Sequence, residues 1–149
     1  MGLKSMNVKI KKLHPDAVIP KYAKDGDAGM DLVSISMNDD HTDYIEYGTG
    51  LAIEIPEGYV GLIFPRSSIS YKSHVLTNSV GVIDGGYRGE IKFRFKRVLN
   101  LNSGVGNYYN VGEKVGQLII MPYPQIELQE VEELSNTERG TGAFGSSGS

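Results

Sequence analysis

The stretch from Asn78 to Phe95, NSVGVIDGGYRGEIKFRF, constrains the fold more than any other part of the chain. Val80, Val82 and Ile83 are strand formers, and Ile91, Phe93 and Phe95 alternate with Lys92, Arg94 and Lys96. A period of two marks a half-buried strand, so the pattern predicts strand, tight turn, strand. Between the arms, Asp84-Gly85-Gly86 supplies the Asp-Gly pair of a hairpin turn that needs positive φ. The Asp84 carboxylate is then held at the tip of a rigid hairpin with Tyr87 directly behind it. Taken alone, that aspartate is as readily a plain turn-former, because Asx side chains bond to nearby backbone.

The remaining chain reads the same way, as short strands cut by turns. Residues 6–11 alternate apolar and charged side chains, and Met30, Leu32, Val33 and Ile35 suggest a second strand. Tyr44–Tyr47 and Gly50–Ile55 read as two strands meeting at Gly48, and YVGLIF (59–64) as a buried strand ended by Pro65. SSISYKS after Arg66 is the one plausible helical turn, with Ser67 as its N-cap. A Gly/Asn-rich loop over 100–110 precedes the long apolar strand VGQLIIMPY, and IELQEVEEL resumes alternation as strand or short amphipathic piece. From Ser135 the composition collapses to four glycines and four serines without an aliphatic anchor, which predicts a mobile tail. With 19 glycines, no tryptophan and about ten short strands, the expected class is an all-β jelly roll or barrel-like sandwich.

Bulk properties narrow the function. A length of 149 residues suits one domain with a real core. A net charge of −3 creates no field for nucleic acid, so an anionic ligand must be held by local donors. The absence of cysteine excludes disulfides and thiolate metal sites. No apolar run approaches the ~18 residues of a membrane span, and MGLKSMNVKIKK lacks a secretory core. The expectation is a soluble cytoplasmic protein with no nucleic-acid or membrane partner.

Five clusters carry possible chemistry. In DAGMDL (27–32) two carboxylates flank a permissive glycine, so Asp31 either caps a strand or helps hold a hydrated cation. In PRSSIS (65–70) an arginine and two hydroxyls open a turn whose free N–H groups favour an anion, although a simple cap with a surface arginine has the same sequence. The Asp84 turn is the third. In GEKVGQL (112–118) Gln117 is a polar residue inside an apolar strand, serving either an internal network or a ligand oxygen. The tail RGTGAFGSSG (139–148) could wrap phosphates and cover a flat ring with Phe144, or simply be disordered; it lacks the lysine and spacing of a Walker A loop.

In order and spacing the five clusters resemble the five motifs of the trimeric dUTPase family, the deoxyuridine 5′-triphosphate nucleotidohydrolases. The likeness runs from Asp27 to Gly148, and NSVGVIDGGYRGE and RGTGAFGSSG are its most specific parts. The resemblance implies an all-β jelly-roll or β-clip-like barrel, assembled as a homotrimer with active sites shared between subunits. It implies hydrolysis of dUTP to dUMP and pyrophosphate with Mg²⁺. Residues 1–134 would form the β-rich catalytic domain and 135–149 a flexible lid belonging to it. Asp84 would be the general base for the attacking water. Asn78 and the backbone of Gly81, Val82 and Ile83 would read uracil, and Tyr87 would exclude a 2′-hydroxyl. Arg66, Ser67, Ser68 and Gln117 would bind the phosphates, and Asp31 would meet Mg²⁺ through water. Arg139, Phe144, Gly145, Ser146 and Ser147 would close over the substrate, with Phe144 stacked on uracil.

Some positions depart from the family pattern. Gly116 stands where alanine is common, Ala143 where glycine is, Ser147 where threonine is, and Gly86 where aspartate often is. A dCTP deaminase or bifunctional deaminase-dUTPase of the same fold is the nearest rival, but it would need a glutamate at the pyrimidine ring. A regulatory protein-binding member would need an inserted recognition segment, for which 100–110 is the only candidate. A structural jelly roll would have no use for all five clusters.

Overall fold

The computed structural model describes residues 5–40, 43–98 and 105–146. Over these, the chain runs β1 (Lys9–Lys12), β2 (Met30–Val33), β3 (Ser36–Asn38), β4 (Ile45–Gly48), β5 (Leu51–Glu54) and β6 (Tyr59–Phe64). A 3₁₀ turn (Ser67–Tyr71) follows, then β7 (His74–Leu76), β8 (Gly81–Ile83), β9 (Lys92–Arg97) and β10 (Lys114–Pro122). The protein is all-β with a jelly-roll-like arrangement. Two four-stranded antiparallel sheets, β2-β10-β6-β8 and β3-β4-β9-β7, are joined by a β1-β5 pair.

Period-two side-chain alternation builds the core between the sheets. In β9, Phe93 and Phe95 are buried while Lys92, Arg94 and Lys96 face outward. They meet Tyr47 of β4 and, from the other sheet, Leu32, Val115 and Leu118, all of which are essentially inaccessible. Each such side chain contributes roughly 1.5–3 kcal/mol of burial. Across the core the Phe93 ring lies against Gly116 of β10, a position at which a Cβ would run into that ring.

Several local expectations are corrected. The stretch 78–95 is not a hairpin: β8 pairs with β6 through Val82↔Leu62 and Ile83↔Gly61, whereas β9 pairs with β4 and β7. Its two arms belong to opposite sheets, so Asp84–Ile91 is an inter-sheet connection. Neither Gly85 nor Gly86 adopts the positive φ a primed hairpin turn requires, and the Tyr87 N–H instead donates to the Asp84 carbonyl at 3.1 Å. Likewise β4 and β5 are in different sheets despite being separated by only two residues. The turn after Pro65 is 3₁₀, its N-cap is Arg66 rather than Ser67, and no side chain caps it. Residues 123–134 form neither strand nor helix, and Ile126, Leu128 and Leu134 are exposed. Periodicity reports burial, and among the described residues no strand pairs with these.

Candidate active site

The turn following β8 and the outer face of β9 enclose a cleft of about 440 Å³. Its walls bring together Asn78, Gly81, Val82, Ile83, Asp84 and Tyr87. Gly81 is buried against Ile63, and β8 is the edge strand of its sheet, so Val82 presents an exposed side to the cleft. Ahead of it the chain tightens: Ser79 holds φ of 62° and the Val80 N–H donates to the Asn78 carbonyl at 2.6 Å. Left-handed backbone at a non-glycine residue is sparsely populated, and here it fixes how Asn78 enters the cleft. Behind Asp84, the Arg88 guanidinium donates to the Gly85 carbonyl at 2.7 Å and pairs with Glu54 at 3.4 Å. The Tyr87 hydroxyl donates to the Glu90 carbonyl at 2.8 Å, folding the ring over Gly89, where a side chain would collide with it. The carboxylate is exposed on a braced turn.

A second cluster lies at the far end of the same sheet. Register places Gln117 of β10 between Asp31 of β2 and Phe64 of β6. The Gln117 amide donates to the Pro65 carbonyl at 3.0 Å, and its other face fills the space beside Gly29. Arg66 Nε donates to Asp31 Oδ1 at 2.8 Å, and Lys114 Nζ stands 3.5 Å from Asp31 Oδ2. Arg66 Nη1 also reaches Ser68 Oγ at 3.4 Å, whereas Ser67 is exposed. Arg66, Ser68, Gln117 and Asp31 thus share one patch with two cations against one carboxylate. That balance suits an anion.

The patch and the cleft do not meet within one chain. Gly61 pairs with Ile83 and Ile63 with Gly81, so Asp84 lies near Val60 while Arg66 is six residues further along. At the rise of an extended strand their backbones are about 20 Å apart. The tail forms a third group: Arg139 Nε donates to the Gly142 carbonyl at 2.8 Å, the Ser146 N–H donates to the Ala143 carbonyl at 3.0 Å, and Phe144 is wholly exposed. Arg139, Gly145 and Ser146 line one shallow hollow made by the tail itself. Ser147 lies outside the described residues, as do 99–104, which include the first five residues of the 100–110 loop.

The sequence profile of the dUTPase family matches residues 16–148. The chain belongs to the dUTPase family. It is 42% identical to a deoxyuridine 5′-triphosphate nucleotidohydrolase of Clostridioides difficile, across 95% of this chain and 98% of that one. It is 39% identical to one of Rhodococcus erythropolis, across 96% and 87%. Among solved structures, a mutant dUTPase of Staphylococcus bacteriophage 80alpha with dUpNHpp matches with a TM-score of 0.82 and 30% identity, over 97% of this chain and 100% of that one. A dUTPase mutant of S. aureus phage phi11, described with a structural Mg(II) ion, matches with a TM-score of 0.71 and 29% identity, over 86% and 98%.

This dUTPase fold also places residues at the site that sequence reading passed over. Glu46, Thr77, Glu90, Lys92 and Arg94 line the cleft. Glu46 and Arg94 are cross-strand partners, with Arg94 Nε donating to Glu46 Oε2 at 2.7 Å and Lys92 Nζ lying 3.4 Å from Oε1. Burial works against ionisation of Glu46, but the bond from Arg94 and the nearby Lys92 outweigh it and hold its carboxyl below the usual range. Lys92 and Arg94 were detectable as the outward residues of an alternating strand. Glu46 was not, because only the β4–β9 register brings it there.

Proposed function

We propose that this chain hydrolyses dUTP to dUMP and pyrophosphate, with Asp84 as general base, in a homotrimer whose sites are shared between subunits. The observation that carries the reading is the single cleft that collects Asn78, Gly81–Ile83, Asp84 and Tyr87. Exposed N–H and C=O groups of an edge strand can pair with a pyrimidine edge, and a fixed backbone pattern penalises cytosine by setting donor against donor. Tyr87, held by its bond to the Glu90 carbonyl, backs the deoxyribose and leaves no room for a 2′-hydroxyl. Asp84 accepts a proton from water as that water's oxygen attacks the α-phosphorus; the bond to the bridging oxygen breaks and pyrophosphate departs with its electrons. Arg66, Ser67, Ser68 and Gln117 take the phosphates, and preorganised donors there stabilise the developing charge. The tail, with Arg139, Phe144, Gly145, Ser146 and Ser147, closes over the complex and excludes water.

The residues present fit Mg²⁺ held mainly by the substrate. No group of three His, Asp or Glu converges among the described residues, whereas Asp31 offers a partly exposed carboxylate with spare lone pairs beside Arg66. An outer-shell carboxylate is what a hydrated Mg²⁺ on a triphosphate requires. When bound, the ion would neutralise phosphate charge.

The distance of about 20 Å between Asp84 and Arg66 supports sharing, because one triphosphate cannot engage both within a single chain. The exposed Ile126, Leu128 and Leu134 also support assembly, because exposed apolar side chains gain by being covered.

Pyrophosphate release from dUTP, dCTP, dTTP and UTP with Mg²⁺, compared with Asp84→Asn, tests the chemistry. Turnover confined to dUTP and lost in the variant is expected; ammonia from dCTP would move the activity to deamination. Mixed assemblies of Asp84→Asn and Arg66→Ala chains should regain activity that neither has alone. No recovery would refute the sharing.

A further inference from the structure

We infer that Tyr109 is a positioning residue for the phosphate patch, holding the Ser68 hydroxyl and through it Arg66; the inference rests on reading Arg66–Ser68 as phosphate-binding. Tyr109 lies in the loop before β10 and is 3% exposed. Its placement is fixed on several sides. Its carbonyl accepts the Tyr47 hydroxyl at 2.8 Å, and its ring packs beside Phe95 and His74 at centroid distances of 5.7 and 5.2 Å. Lys72 Nζ sits 4.8 Å above the ring. The loop is also pinned to the chain just after the 3₁₀ turn: the Ser73 N–H donates to the Asn107 carbonyl at 2.7 Å, and Asn107 Nδ2 donates to the Tyr71 carbonyl at 2.7 Å.

From this anchored ring the hydroxyl emerges 2.8 Å from Ser68 Oγ. Within the turn itself only the longer Arg66 contact reaches this oxygen among the described hydrogen bonds. Arg66 Nη1 donates to the same Oγ at 3.4 Å, and Arg66 Nε is committed to Asp31. A serine oxygen has two lone pairs and one proton. With Tyr109 and Arg66 both donating to it, its own O–H is left to point outward. A phenol is a stronger acid than an aliphatic alcohol, so Tyr109 is the better donor of the pair. The consequence is a serine oriented as donor toward a phosphate oxygen, next to an arginine fixed in direction.

Tyr109→Phe keeps the ring and removes only this bond. The proposal expects KM for dUTP to rise about tenfold, the worth of one oriented hydrogen bond. The inhibition constant of deoxyuridine, which has no phosphate, should stay near wild type. In a Ser68→Ala background the Tyr109→Phe effect should vanish. Wild-type KM in Tyr109→Phe while Ser68→Ala is impaired overturns this proposal alone, as does an undiminished penalty in the double variant. Wild-type KM in both Ser68→Ala and Arg66→Ala overturns the phosphate reading itself and this proposal with it.

Discussion

His74 should make the protein acid-sensitive, and one substitution should remove that sensitivity. The side chain is 1% exposed, stacked on Phe95 at 4.4 Å, and neither ring nitrogen has a hydrogen-bond partner among the described residues. Burial, reinforced by the positive charges of Lys72 and Arg97, pushes its pKa down from 6.5 to about 4. In the unfolded chain the imidazole takes up a proton near its ordinary pKa, whereas in the folded chain it resists. Between the two values the unfolded state therefore binds more protons, and stability rises with pH. The full contribution is present above the unfolded value and is lost as pH falls through the folded one. A separation of that size corresponds to about 3 kcal/mol in total, of which about 2 kcal/mol is gone by roughly pH 5. Urea unfolding followed by circular dichroism at about pH 7.5 and about pH 5, at one protein concentration, should show that loss in the wild type. His74→Leu, similar in volume and unable to protonate, should lose less by about that amount, while carboxylates common to both chains cancel in the difference. Equal losses in the two proteins would refute the reasoning, whatever the variant's stability at neutral pH.

Other expectations follow from single contacts. Gly116→Ala places a Cβ against the Phe93 ring and should destabilise by about 1–3 kcal/mol in thermal or urea unfolding, with Phe93→Leu restoring part of the loss. Phe144→Ala, at a fully exposed position, should leave the melting temperature unchanged and lower kcat/KM for dUTP about three- to tenfold, the worth of a stacked ring; a change in melting temperature instead would contradict the lid. Tyr87→Ala should raise kcat/KM for UTP relative to dUTP by about tenfold or more, and an unchanged ratio would place ribose discrimination elsewhere.

The family alanine is absent at position 116 for a reason visible only in the assembled sheets. Sequence reading marked Gly116 as a departure without an account; the bulk of Phe93 on the facing strand supplies one. The same division runs through the whole molecule. Strand identity was legible where alternating residues have a core to face, as in β9, because one face of such a strand meets the core and the other meets water; the alternation of 126–134 has no such core and forms no strand. The candidate site residues stood out as motif clusters because turn chemistry and polar side chains in apolar surroundings mark them locally, and the cleft gathers Asn78, Asp84 and Tyr87 from one of those clusters.

Partnership was not legible. Alternation says which side of a strand is buried and nothing about which strand lies beside it, so 78–95 reads as a hairpin although its arms serve opposite sheets. Glu46 joins the cleft through β4–β9 register, and Tyr109 reaches Ser68 across 41 positions. The sequence alone determined an all-β chain of the dUTPase family. The tertiary structure decided where those side chains stand, because pairing and packing depend on residues far apart in the chain, and it parted Asp84 from Arg66 by the length of a strand.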